Sequence, residues 1–179
     1  MKMNKVILYV AMSLDGYIAR EDGAVDWLEE AEGDGGDNGY ADFYETIGAL
    51  VMGRKTYESV LGLSETFPYA GKPCYVLSTT RRERTEHAVF TDEALDSLIP
   101  SLAATTRGDV WIVGGGELVR SVMERGLLDE LHLAVIPKVL GGGIPLFPQG
   151  TVPTSFRLRD MEQMGQIVML RYSVDNGKD

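Results

Sequence analysis

The feature that most constrains the fold is a strand-like run that breaks at a glycine into a basic, hydroxyl-bearing turn. Residues 49–52 are apolar, Gly53 follows, and a helix pattern then begins with Arg54, Lys55 and Thr56. An apolar run of this length bounded by glycine is typical of a buried strand. The first backbone N–H groups of the next helix have no intrahelical acceptor, so they can bind a phosphate. This turn predicts an anion site at a strand end.

Two more turns of this kind occur along the chain. Residues 109–113 form a β-rich run that meets three glycines, 114–116, and then a helical pattern that stops at Gly126, a residue suited to the left-handed conformation. Residues 74–77 form another strand-like run, which ends in the hydroxyl and arginine cluster 78–82. Three strand ends with donors for anionic oxygens predict a ligand that carries several phosphates, and a dinucleotide fits that description.

Strand and helix patterns alternate along the chain until its last two strands. The predicted strands cover residues 6–11, 49–52, 75–77, 88–90, 110–113, 131–136, 156–161 and 166–174. The predicted helices cover residues 40–47, 57–61, 92–104 and 117–125. Thr91 is the predicted N-cap of the third helix, and Pro100 is predicted to kink or divide it.

The alternation indicates an α/β fold with a mostly parallel central sheet. The last two strands flank a break at Met164 and Gly165, which predicts a C-terminal antiparallel hairpin. No linker, repeat or low-complexity tract divides the sequence, so we expect one domain over residues 1–179. Residues 33–39, which are rich in glycine, predict a flexible loop.

Composition and charge exclude several classes of protein. No apolar run approaches the ~18 residues of a membrane span. The formal net charge of −10 argues against broad nucleic-acid binding. The single cysteine, Cys74, excludes an internal disulfide framework and indicates a reducing cytoplasm. With only His87 and His132 as histidines, we expect no metal site.

Taken together, these motifs resemble the dihydrofolate reductase fold, and they are most similar to the C-terminal domain of the bacterial riboflavin-pathway reductase. The matching segments cover nearly the whole chain and are residues 13–19, 52–56, 77–79, 113–116 and 139–147. The resemblance implies a three-layer α/β fold and an NADPH cofactor. The glycine cluster is not a Rossmann fingerprint, because counting from Gly114 puts Val119 where the third glycine would stand.

The resemblance also implies which residues contact the cofactor. Ala11 and Ile18 would line the nicotinamide pocket, and a cis peptide would join Gly114 to Gly115. The residues implied at the pyrophosphate and the 2′-phosphate are Gly53, Arg54, Lys55, Thr56, Ser78, Thr79 and Arg81. The residues implied beside the cofactor at the glycine turn are Val113, Gly115, Gly116 and Glu117. The 2′-phosphate group of residues favours NADPH over NADH. From the residues alone, Ala11 and Ile18 could equally be core residues, and residues 54–56 could be an ordinary surface helix start. The glycines at 114–116 could likewise form a tight turn without a ligand.

The substrate side departs from a folate enzyme. Such an enzyme has a buried acid on its first long helix and a threonine on a later strand. Here Asp37 and Asp42 do not align with that acid, and Ala134 stands in place of the threonine. Folate is therefore not expected as the natural substrate.

Two acids remain near the expected cleft. Asp15 precedes Gly16, which favours a turn. Asp26 lies beside Trp27, whose indole would partly desolvate it, and this makes Asp26 the candidate catalytic acid, with a solvated loop carboxylate as the alternative. Hydride transfer itself needs no acid from the protein, since the cofactor carries that chemistry.

Three functions are compatible with these inferences. The first is an NADPH-dependent reductase of a small heterocyclic or carbonyl-type substrate. The second is a 5-amino-6-(5-phosphoribosylamino)uracil reductase, which is disfavoured because the fused zinc deaminase of that pathway is absent. The third is a nucleotide-binding regulator without turnover. Val168, Leu170 and Tyr172 on one face of the last strand predict a homodimer, with cover of the domain's own core as the alternative.

Overall fold

The structure is a computed structural model and describes residues 3–176. The strands are β1 Val6–Ser13, β2 Tyr17–Ala19, β3 Ile47–Gly53, β4 Cys74–Leu77, β5 Val89–Thr91, β6 Asp109–Gly114, β7 Glu130–Ile136, β8 Ile144–Pro145, β9 Phe156–Met164 and β10 Ile167–Val174. The helices are α1 Tyr40–Glu45, α2 Arg54–Leu63, α3 Leu95–Thr105 and α4 Gly116–Glu124, and a short 3₁₀ turn covers Asp26–Leu28.

Eight strands form one sheet in the spatial order β5-β4-β3-β6-β1-β7-β10-β9, and β2 pairs with β8 separately. Neighbours from β5 to β7 are parallel, whereas β10 is antiparallel to both β7 and β9. The predicted mostly parallel sheet with a C-terminal antiparallel hairpin is confirmed. Because the parallel strands point the same way, the carboxyl ends of β1, β3, β4 and β6 meet at one edge.

Helices cover both faces of the sheet, which makes three layers. On one face, Ile99 of α3 and Val119 of α4 belong to a buried cluster that includes Ile112. On the other face, Tyr57 of α2 packs in a second buried cluster with Leu50. The central strands are apolar on both sides because both of their faces are covered.

The segment between β2 and α1 covers the second face beside β7 and β10. Trp27 of the 3₁₀ turn is 0% exposed and packs with Ile136, Met164 and Met169. The strands β2 and β8, which the sequence did not predict, bring residues 17–19 and 144–145 together. Strands this short have too few residues for a period-2 pattern.

Helix α4 ends as predicted. Gly126 has a φ of 63°, and its N–H donates to Met123 O at 3.0 Å. The N–H of Leu127 donates to Val122 O at 3.1 Å. This pair of bonds is a Schellman motif, which satisfies carbonyls that the helix leaves open.

The start of α3 differs from the prediction. The helix begins at Leu95, so Thr91 is not its N-cap. Thr91 belongs to β5, and its hydroxyl oxygen accepts the N–H of Glu93 at 3.0 Å. Pro100 lies inside α3, which continues past it and is not divided. No helix within residues 3–176 is both long and apolar enough to cross a bilayer.

Strands β9 and β10 extend the sheet beyond α3 and α4. Leu170 pairs with Met161, and Tyr172 pairs with Leu158, so these side chains share one face. Tyr172 packs against the first core cluster, but Leu158 is 52% exposed and Met161 is 64% exposed. This face therefore carries an apolar strip that the described residues leave open to solvent.

Candidate functional site

The glycine turns after β3 and β6 lie side by side at the carboxyl edge of the sheet. Gly53 is the N-cap of α2, and Gly115 is the N-cap of α4. A glycine cap has no side chain that could accept from the first helical N–H groups, so these donors stay available. A Cβ built on Gly115 would lie 3.5 Å from Thr56 Oγ1, which measures how close the two turns come. Two adjacent helix N-termini form a cradle suited to an anion.

The peptide bond between Gly114 and Gly115 is cis, as the resemblance implied. The two glycines that follow it have different surroundings. A Cβ on Gly115 would make only ordinary contact, whereas a Cβ on Gly116 would lie 2.6 Å from the carbonyl oxygen of Pro145. Packing therefore requires glycine at position 116, whereas position 115 has room for a small side chain.

The turn after β4 holds the residues predicted for the 2′-phosphate. Ser78 is 8% exposed, and its Oγ accepts the N–H groups of Thr80 at 3.3 Å and Arg81 at 3.1 Å. Arg81 donates to the carboxylate of Glu83, and its guanidinium lies 4.0 Å from the ring centre of Phe90. Ser78 closes its own turn, and Arg81 is already paired.

The charged side chains at the starts of α2 and α4 differ in their ion-pair partners and in their exposure. Arg54 donates to Glu58 Oε1 at 2.9 Å, while Lys55 is exposed and forms no ion pair within residues 3–176. Glu117 lies in the first turn of α4, 3.8 Å from Arg120, with its side chain 81% exposed. A carboxylate at a helix N-terminus stabilises the helix but repels a second anion there.

The predicted nicotinamide residues lie at the neighbouring strand ends. Ala11 pairs with Ala134 in β7, and both pack at the edge of the cluster around Trp27. Ile18 of β2 is partly buried against the first cluster, and Val113 against the second.

Asp26, the predicted catalytic acid, is paired instead of desolvated. Its Oδ1 accepts from Arg20 Nε at 2.8 Å, and its side chain is 58% exposed. The Arg20 guanidinium lowers the pKa of Asp26, so its carboxylate is ionised at neutral pH. The expected shielding by Trp27 is wrong, because that indole points into the core. This geometry does not suit a proton donor.

Two buried polar atoms that the sequence did not single out lack partners within residues 3–176. They are Trp27 Nε1 and the hydroxyl of Tyr44. Their only sequence signal is a polar atom on an aromatic ring in an apolar stretch, which is common in ordinary cores. Tyr44 belongs to α1, and the ammonium of Lys72 lies 4.6 Å from its ring centre. A buried donor without an acceptor is costly, which makes both atoms candidates for ligand contact.

Asp37 and His132 have structural partners. Asp37 accepts the N–H of Ala41 at 2.9 Å and so holds the start of α1. His132 packs among aromatic rings, and its burial lowers its pKa. Within residues 3–176, no group of three His, Cys, Asp or Glu side chains could hold a metal ion. A pocket of about 440 Å³ at the opposite edge, beside Lys5 and Leu127, contains neither Asp37 nor His132.

Residues 4–170 match the RibD C-terminal domain family. The chain belongs to this family. It is 46% identical over 169 residues to the protein YwjB of Bacillus subtilis (strain 168), covering 94% of this chain and 97% of YwjB.

Two solved structures have a fold similar to that of this chain. A Shewanella sp. PV-4 protein whose name assigns it to riboflavin biosynthesis has a TM-score of 0.85 and 31% identity, over 95% of this chain and 98% of that one. Dihydrofolate reductase from Enterococcus faecalis, complexed with NADP(H), has a TM-score of 0.64 and 19% identity, over 96% of this chain and 97% of that one. The predicted dihydrofolate reductase-like fold is confirmed.

Proposed function

We propose that this chain is an NADPH-dependent reductase that transfers hydride to a small heterocyclic or carbonyl-type substrate other than dihydrofolate. One observation carries the proposal: two glycine-capped helix N-termini meet at neighbouring strand ends, where a Cβ on Gly115 would lie only 3.5 Å from Thr56 Oγ1. Such a cradle suits the pyrophosphate of a dinucleotide. The fold of a reductase family supports the same function.

The residues fit a nicotinamide dinucleotide along the edge of the sheet. In the proposal, the backbone at Gly53 and Gly115 and the hydroxyl of Thr56 hold the pyrophosphate. Ala11 and Ile18 line the nicotinamide, and Val113, Gly116 and Glu117 lie beside the cofactor at the glycine turn. The bound cofactor supplies the hydride, and the chain binds and orients the two reactants.

The residues at the proposed 2′-phosphate site are the reason that we propose NADPH and not NADH. Lys55 and Thr79 are exposed there, and Arg54 and Arg81 would exchange their acid partners for the phosphate. The hydroxyl oxygen of Ser78 would hold the shape of this turn by accepting the N–H of Arg81. Charge-assisted bonds to phosphate are stronger than neutral ones, so NADPH should bind more tightly than NADH. Calorimetric titration that gives equal affinity for the two cofactors would remove this part.

The substrate would lie beside Ala11 and Ala134, at the nicotinamide end of the proposed site. Because Asp26 is paired with Arg20, it is not the proton donor in this proposal. The proton that follows the hydride would come from water.

A ribosylaminopyrimidine reductase is the second candidate. It is favoured by the Shewanella relative, whose name refers to riboflavin biosynthesis. A nucleotide-binding regulator would use the same cradle without turnover. Loss of NADPH absorbance with a panel of substrates, including 5-amino-6-(5-phosphoribosylamino)uracil, separates the three. Oxidation with a carbonyl or heterocycle supports the proposal, oxidation only with the ribosyl substrate supports the second, and binding without oxidation of any member supports the regulator.

We also propose that the chain is a cytoplasmic homodimer joined through the apolar strip of β9 and β10. The exposed Leu158 and Met161 would be covered by the same strip of a second copy. The single cysteine, Cys74, forms no disulfide, which is compatible with a reducing compartment. Light scattering should give twice the chain mass at tens of micromolar, and Met161→Glu should shift it to the monomer. A monomer in the parent would remove the homodimer.

A further inference from the structure

Residues 138–146, which we call the strap, link the two ends of the proposed cofactor site. At the start of the strap, Leu14 donates its N–H to the carbonyl oxygen of Lys138 at 2.8 Å. At its end, Leu146 donates its N–H to Gly16 O at 3.0 Å, and the Leu146 side chain is fully buried in the cluster beneath α4. The strap is thus bonded to the turn that joins β1 to β2.

One carboxylate holds the middle of the strap. Asp15 Oδ1 accepts the N–H of Leu140 at 3.0 Å and the hydroxyl of Ser13 at 2.7 Å. Asp15 Oδ2 accepts the N–H of Gly141 at 2.8 Å. Ser13 is fully buried, so it fixes the direction of the carboxylate. The Ser13 hydroxyl, with these N–H groups, lowers the pKa of Asp15 to about 2, and the group is therefore ionised at neutral pH.

The strap also touches both ends of the proposed cofactor site. A Cβ on Gly143 would lie 2.2 Å from the carbonyl oxygen of Ala19, next to Ile18 in β2. A Cβ on Gly116 would lie 2.6 Å from the carbonyl oxygen of Pro145. Because packed backbone leaves no slack at either contact, displacement of the strap would change the separation of the nicotinamide and pyrophosphate ends.

We propose that Asp15 is a positioning residue, which sets the affinity for the dinucleotide by fixing the strap and does not touch the cofactor. This inference rests on the proposed function. A dinucleotide binds both ends of the site at once, so its affinity depends on their separation being fixed before it arrives. Asp15 fixes this separation by accepting hydrogen bonds from two backbone N–H groups of the strap.

The variant Asp15→Asn tests this role, because loss of a bond to the strap should weaken NADPH binding, whereas loss of the negative charge should strengthen it. The amide keeps the shape of the carboxylate but turns an N–H group toward one of its three donors. We expect NADPH to bind about tenfold more weakly, the size of one lost hydrogen bond to a charged group. Removing a negative charge from a chain of net charge −10 would by itself strengthen the binding of an anion. Weaker binding is therefore a signature of the strap and not of charge.

Asp34→Asn is the matched control. Asp34 Oδ1 accepts the N–H groups of Gly36 at 2.8 Å and Asn38 at 3.3 Å, which is the same chemistry in another loop. We expect this variant to bind NADPH at least as tightly as the parent. Ser13→Ala, which removes the hydroxyl that aims Asp15, should weaken binding in the same direction as Asp15→Asn and serves if that variant does not fold.

Amide hydrogen exchange without cofactor supplies a second readout. Exchange at Leu140 and Gly141 should be faster in Asp15→Asn and unchanged in Asp34→Asn. Unchanged exchange in Asp15→Asn would show that Asp15 does not hold the strap. Faster exchange with parental NADPH affinity would refute the coupling to the cofactor. A parent chain that binds no NADPH would refute the proposed function and the effect on affinity, while exchange would still decide whether Asp15 holds the strap.

Discussion

At the glycine turns after β3 and β6, the groups available to an anion belong to the backbone, whereas at the turn after β4 they are side chains that already have partners. The N–H groups that follow Gly53 and Gly115 have no other acceptor in their helices. Arg54 and Arg81, in contrast, are bonded to Glu58 and Glu83. A site made of backbone is formed before the ligand arrives. A site made of charged side chains binds by exchanging one partner for another, and so contributes selectivity at a smaller net gain.

The backbone end can be broken with Gly115→Ala, the largest effect that we expect. The added methyl group would meet Thr56 Oγ1 at an ordinary 3.5 Å, so the variant should fold. It would stand between the backbone of Gly115 and Thr56, both of which the proposal places against the pyrophosphate. Loss of two charge-assisted hydrogen bonds of about 1.5 kcal/mol each weakens NADPH binding roughly 100-fold. Calorimetric titration measures it. Parental affinity in a variant that melts like the parent would place the phosphates elsewhere.

The neighbouring glycine should respond through stability. In Gly116→Ala the new methyl group would lie 2.6 Å from the backbone oxygen of Pro145, so the strap or α4 must shift. Overpacking of this kind costs about 2–3 kcal/mol, which lowers the melting temperature by roughly 4–12 °C in a chain of this size. Scanning calorimetry without cofactor is the measurement, with Gly115→Ala as the control. Equal melting temperatures for the two variants would erase the distinction between these glycines.

The side-chain end can be sharpened with Glu58→Gln, which frees Arg54. An exposed ion pair is worth about 0.2–1 kcal/mol, so NADPH affinity should rise by about two- to fivefold at most, and NADH affinity should not change. Glu124→Gln is the matched control, because Glu124 pairs with Arg120 at the same helical spacing at the far end of α4. Titration of both cofactors measures the effect. An equal gain for NADH would mean that Arg54 does not meet the 2′-phosphate.

Asp26→Asn should have the smallest effect on activity. It tests a charged side chain that is paired but does not belong to the proposed cofactor site. The pairing with Arg20 lowers the pKa of Asp26, so the group stays ionised and its removal should change kcat less than about threefold. The pH profile of the parent should show no limb from Asp26 between about pH 5 and 9. The pair favours the folded state at neutral pH, and this contribution is lost as the pH falls through the lowered pKa. A large drop in kcat with loss of an acidic limb would restore Asp26 as the catalytic acid.

Most of the sheet could be predicted from the sequence, because its central strands are apolar runs that end at glycines or hydroxyls. The prediction for residues 131–136, for example, is one residue short of the observed β7. The start of α3 could not be predicted from propensity. Thr91 is a good N-cap by type, but pairing with Leu77 in the sheet determines its conformation. Helix α2 begins at Arg54 and not at residue 57, since its first turn carries the polar residues that do not show an apolar face.

The candidate site could be predicted in its backbone and not in its charges. Glycines at strand ends have few alternatives, so the turns at Gly53 and Gly115 follow from the residue type. The partners of Arg81 depend on a side-chain conformation that stacks on Phe90, which no local pattern contains. The same is true of Trp27, whose burial depends on Met164 and Met169, near the other end of the chain.

The place of β1 in the sheet has a consequence for how the chain is made. Strand β1 is synthesised well before both of its neighbours, β6, which begins at Asp109, and β7, which begins at Glu130. At a synthesis rate of about 5–20 residues per second, β1 waits roughly 6–25 s for its second neighbour. Because these contacts join distant parts of the chain, they are also slow to form. A chain that stalls on the ribosome before Glu130 leaves this apolar strand without β7 on one side and depends on chaperones until synthesis resumes.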